Sequence, residues 1–150
     1  MEEKLMAFKG SIAAFFTAAG AFLGWQGIMI VVWIACMVID YISGTIAAAK
    51  AGEWSSAVAR EGIAHKAGMI FVAIGAGLAD LTMTLVVEHI PLNMTWPVLI
   101  LPVVLAWYIL TELGSVLENA KKMGAPVPEK LVKLLKVGAN FAADKLGKDE

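Results

Sequence analysis

The chain has 150 residues, 59% of them hydrophobic, with a net charge of −1 and a mean hydropathy of +0.76. That apolar share exceeds the roughly 45–50% of soluble domains, and no basic field recommends nucleic acid as a partner. The single cysteine, Cys36, allows no intrachain disulfide, and with only two histidines, far apart in the sequence, no metal-ligand spacing or Ser-His-Asp or Cys-His arrangement is present. The expectation is therefore an all-α integral membrane protein that is not an enzyme and carries no cofactor.

Leu5, Phe8, Ile12, Phe15, Phe16, Phe22 and Leu23 recur at helical spacing, opposite a face of Gly10, Ala13, Ala14, Thr17, Ala18 and Ala21. Gly20 and Gly24 form a GxxxG match, the arrangement that lets membrane helices approach closely. With Lys4 and Lys9 near its start, this hydrophobic helix over 5–24 reads either as interfacial or as a short span.

The first strong span is 25–49, from Trp25 to the residue before Lys50. At 1.5 Å per residue it crosses a hydrocarbon core of about 30 Å. Its one ionisable residue is Asp40, and a charge at such depth costs about 2.5–3.5 kcal/mol on insertion scales. A polar connection carrying Lys50, Arg60 and Lys66 against Glu53 and Glu61 follows, in which Ser55 or Ser56 is placed to cap a helix.

The second span is 67–87, interrupted by Asp80 late in its length. Ala73, Gly75, Gly77 and Ala79 give overlapping small-xxx-small pairs, a second packing face. The third run is 96–117, from Trp96, with Pro102 expected to kink it and Glu112 near its C-terminal end.

Lys and Arg number three in the first connection, none in the second and seven from Lys121 onward, which places the first connection and the C-terminal tail in the cytoplasm. Three spans then need an external N-terminus and four an internal one; two lysines against two glutamates in the first nine residues leave both open. Gly124, Pro126 and Pro128 read as a helix end and hinge. The tail over 127–146 then forms a basic amphipathic helix, with Leu131, Leu134, Leu135 and Phe141 on or near one face and Lys130, Lys133 and Lys136 elsewhere. It suits an inner membrane surface or a partner helix.

Three groups of residues, taken in order, resemble the toxin-secretion and phage-lysis holin family known from clostridial toxin loci and many prophages. The first is Asp40-Tyr41-Ile-Ser-Gly44. The second is Ser55-Ser56 with Gly62 and Lys66, followed by Asp80. The third is Glu112-Leu-Gly-Ser115-Val-Leu-Glu118-Asn119, then Gly124-Ala-Pro126-Val-Pro128. The resemblance covers roughly residues 35–137. It implies a single holin domain over 1–150 in the bacterial cytoplasmic membrane. Such a protein self-associates among lipid and opens lesions that release an endolysin or a toxin.

From the residues themselves, Asp40 and Glu112 are expected to face protein or water with Lys66, Arg60 or backbone donors as partners, whereas Asp80 is set apart toward the outer interface. Two other classes fit the same sequence: a regulatory antiholin that makes no hole itself, and a small ion or solute channel using Asp40 and Glu112.

Overall fold

The computed structural model describes residues 2–90, 95–97 and 99–145, with part of the side chains in the first 23 residues and after Ala142 outside the description. Its elements are four helices: α1 (Glu2–Ala51), α2 (Ser56–His89), α3 (Ile100–Lys122) and α4 (Glu129–Lys145). No strand occurs among the described residues. Among the described residues three stretches are long and apolar enough to cross a membrane: Gly24–Ala51, Ser56–His89 and Ile100–Lys122.

α1 is two helices joined at Gly24, whose φ of 67° and ψ of −176° only glycine adopts readily. The spacing from Gly20 to Gly24 therefore does not present one helical face, because the second glycine is the break itself; the surroundings of Gly20 lie outside the described residues. α1 ends at Gly52, also left-handed. Its amide bonds back to Ala49 and that of Glu53 to Ala48, so the last carbonyls of a membrane helix are satisfied within the chain.

α2 starts at Ser56, well before Ala67. The polar stretch after Trp54 is helical because Ser55, extended at φ −145°, accepts the amide of Val58 at 3.2 Å and so caps the first turn. α2 thus carries its polar N-terminal turns beyond its apolar part.

α3 starts at Ile100 rather than Trp96. Pro102 falls in its first turn, where a missing N–H removes no intrahelical bond, so it helps begin the helix and does not kink one. At the other end Gly124 is left-handed. Its amide reaches Lys121 and that of Ala125 reaches Ala120, closing the helix as its sequence suggested.

α3 is the centre of the bundle: α1, α2 and α4 each pack on it, while α1 and α2 touch one another least. The core lies between the three spans and consists of Trp33, Met37, Met69, Ala73, Ala76, Val104, Leu105 and Tyr108. The Trp33 and Tyr108 rings stack at 5.5 Å, and Leu105 is wholly buried. Leu105→Ala should lower stability by about 2–5 kcal/mol, the usual cost of a core cavity, read as an earlier midpoint in a detergent-unfolding titration.

Candidate functional site

Polar groups in an apolar bundle need partners from the chain itself, since lipid supplies none. Asp40, Lys66 and Glu112 come from three different helices and meet at one point. Lys66 Nζ donates to Asp40 Oδ2 at 2.9 Å and to Glu112 Oε2 at 2.6 Å. Glu112 is buried to 3% exposure. The lysine, anticipated as one of several partners, is the one the fold uses. Arg60, the alternative cation, is exposed, and among the described residues it makes no ion pair.

The other oxygen of Asp40 is held from α3. Asn119 Nδ2 donates to Asp40 Oδ1 at 3.0 Å and to Ser43 Oγ at 3.1 Å, and Ser43 donates to the Asp40 carbonyl. Asp40, Ser43 and Gly44 lie on one face of α1 because residues three and four apart share a helix face. Gly44 is part of the fit: a Cβ there would sit 3.4 Å from Asn119 Nδ2. Ser43 was passed over as a separate site residue, although its position three residues after Asp40 was the available signal.

Lys50 adds a clasp at the end of the bundle, donating to the Met123 carbonyl at the C-terminus of α3. A cation at a helix C-terminus is favourable in charge as well as in hydrogen bonding. Between the ends of α1 and α2 a cleft of about 180 Å³ opens onto the polar cluster, lined among others by Asp40, Tyr41, Gly44, Trp54, Gly62 and Lys66. Tyr41 and Gly62 therefore line an approach to the cluster and do not bond within it.

Asp80 forms a second, separate site about 21 Å along α2 from Lys66, at 1.5 Å per residue. It is 3% exposed. Oδ1 accepts the indole N–H of Trp96 at 2.9 Å and the amides of Leu99 and Ile100, both at 3.1 Å; Oδ2 accepts the amide of Leu101 at 2.7 Å. A carboxylate from α2 thus caps α3, whose own N-cap residue, Leu99, makes no side-chain cap bond. Trp96, where the third apolar run begins, is one of its donors.

The remaining residues singled out in the sequence disperse. Ser55 caps α2 and Ser56 is exposed. Ser115 bonds back to Thr111 within α3, and Glu118 lies exposed beside α4. Pro126 is exposed, and Pro128 gives its carbonyl to Leu131 and Val132 at the start of α4. The small-residue face divides: Ala73 is buried and Gly77 faces Leu101, whereas Gly75 faces open space and Ala79 is half-buried. No cluster of three or more metal-ligating side chains occurs among the described residues.

A sequence model of the bacteriophage holin family matches residues 17–140. The chain belongs to the bacteriophage holin family. Its relatives include an uncharacterized protein of Halalkalibacterium halodurans, 32% identical over 83% of this chain and 89% of its own length. One of Listeria monocytogenes is 34% identical over 95% and 91%, and an uncharacterized 14.9 kDa protein in the nagH 3′ region of Clostridium perfringens is 29% identical over 91% and 96%. No solved structure matches the chain. Holins are non-enzymatic membrane proteins, which agrees with the expectation from the sequence.

Removing Lys66 would leave the buried Glu112 carboxylate and the half-buried one of Asp40 without the cation between them. Lys66→Met should destabilise the protein by about 3–5 kcal/mol, the usual cost of orphaning a buried charge. The triple change Asp40→Asn, Lys66→Met, Glu112→Gln should recover most of that, as measured by thermal unfolding in detergent. Asp80→Leu should loosen the start of α3 and shift Trp96 fluorescence, with little effect on the Lys66 cluster.

Proposed function

We propose that this holin permeabilises the bacterial cytoplasmic membrane as a homo-oligomer, opening lesions through which an endolysin or a toxin leaves the cell. The observation that carries the reading is how little of the spans one chain covers. Only 28, 17 and 28% of the most apolar windows of the three spans are buried within the chain, although charged groups lie at membrane depth. The polar cluster fixes one compact unit, and large lipid-facing surfaces are left for contacts between units.

On α2 the outward face includes Gly68 and Gly75, both exposed, with Ala79 half-buried beside them. Small residues at such spacing let helices approach closely in lipid, where packing and not the hydrophobic effect drives association. Gly75 serves contacts between copies in this reading, and Gly77, against Leu101, serves the fold of one copy. The lysine distribution favours Lys50, the start of α2 and the end of α3 on the cytoplasmic side.

Induced expression in a bacterium, with and without a cytosolic endolysin, tests the proposal. The expected result is an abrupt loss of membrane potential, followed by a fall in culture density only when the endolysin is present. Continued growth with the protein confirmed in the membrane would overturn it in favour of a regulatory partner. Gly75→Ile should delay the loss of potential while leaving unfolding in detergent unchanged; Gly77→Ile should lower stability.

A further inference from the structure

α4 is an amphipathic helix, but its placement is not that of a helix lying on a membrane surface. It folds back along α3 as a hairpin. Val132, Leu135 and Ala139 pack beside Leu110, Gly114 and Glu118, and a Cβ at Gly138 would lie 3.1 Å from Leu110 Cδ1. Leu110 is near the midpoint of α3, about 15 Å from Ile100 and about 18 Å from Lys122 at 1.5 Å per residue. Farther along, Ala142 is buried at 6% exposure. The second half of α4 therefore runs beside the middle of α3, a helix long and apolar enough to cross a membrane.

Its exposed surface has two stripes. Leu131, Leu134, Val137 and Phe141 form an apolar one, with Leu134, Val137 and Phe141 each about two-thirds exposed. Glu129, Lys133, Lys136 and Asn140 recur at helical spacing and form a polar one, all exposed. Among the described residues Lys133 and Lys136 make no ion pair. Hydrocarbon against that polar stripe is costly, since lipid offers neither the Lys133 and Lys136 ammonium groups nor the Asn140 amide a partner. Snorkelling relieves residues near α3's cytoplasmic end but not Asn140, beyond Gly138.

We infer that α4 is a lining element of the lesion: docked on α3, it turns Glu129, Lys133, Lys136 and Asn140 toward water and its apolar stripe toward a neighbouring copy or lipid. This rests on the permeabilising function proposed above. The segment from Gly124 to Pro128, outside both helices and with Gly124 left-handed, makes the turn of this hairpin.

The full chain with Cys36→Ala, Leu110→Cys and Gly138→Cys, reconstituted in liposomes holding a fluorescent dye, tests the inference; shortening Leu110 removes the atom that a side chain at 138 would meet. The expected result is that the pair oxidises and the cross-linked protein still releases dye. Failure of the pair to oxidise, or release that stops on oxidation and returns with reductant, overturns the inference. In the otherwise unmodified chain, Lys133→Leu, Lys136→Leu and Asn140→Leu together should abolish release while insertion persists. Release untouched by these three changes overturns the lining role alone; no release from the unmodified chain overturns the permeabilising function and this inference with it.

Discussion

One lysine between two carboxylates organises the bundle. Lys66 comes from α2, Asp40 from α1 and Glu112 from α3, so a single ammonium group fixes the relative height and rotation of three helices. In water such a bridge contributes little, because each partner has solvent as an alternative. Among lipid-facing helices the alternative is an unpaired charge, so sliding or rotating any helix by one residue breaks a bond that nothing replaces. The Asn119 bonds to Asp40 and Ser43 sharpen the effect by specifying one side of α1 as well as its height.

Asp80 does for the N-terminal end of α3 what Lys66 does for its C-terminal half. Its carboxylate takes three backbone amides and an indole N–H, so α3 begins where α2 provides an acceptor. Between these two polar sites the contacts are apolar and non-directional: Met37, Met69, Val104 and Leu105 fill space without choosing a register. The polar ends supply the choice. They also make the weak pairing of α1 with α2 tolerable, since each is tied to α3 independently.

The sequence carried the spans and the polar residues plainly, because uninterrupted apolar runs are rare and a charge inside one stands out. By charge it offered Lys66 and Arg60, beside backbone donors, as partners for Asp40 and Glu112, and only the fold chooses Lys66. Boundaries were less legible. Ser55 was recognisable as a cap, yet the stretch after it read as a connection because Arg60, Glu61 and His65 are polar; a helix extending past the membrane keeps its hydrogen bonds and can be polar all round. Pro102 looked like a break because the start of α3 depends on Asp80, twenty residues away, and no local pattern records that. Gly24 was read as a packing glycine when its backbone angles make it a joint; GxxxG spacing is the same in both cases.

The distribution of polar groups separates what one chain needs from what it leaves over. Asp40, Lys66, Glu112, Asn119 and Asp80 are consumed inside the bundle and set its shape. Gly75 on α2 faces open space, and Leu134 and Val137 on α4 are about two-thirds exposed. A protein that stayed single in lipid would gain from bulky apolar residues at such positions and from an α4 without lysines. Small residues on one outward face and, in the lining role inferred for α4, a polar stripe on another are instead what neighbours and water together would satisfy. The internal clasp makes this division possible: once three helices are locked by Lys66, their outer faces are free to serve the contacts between copies that the proposed function requires.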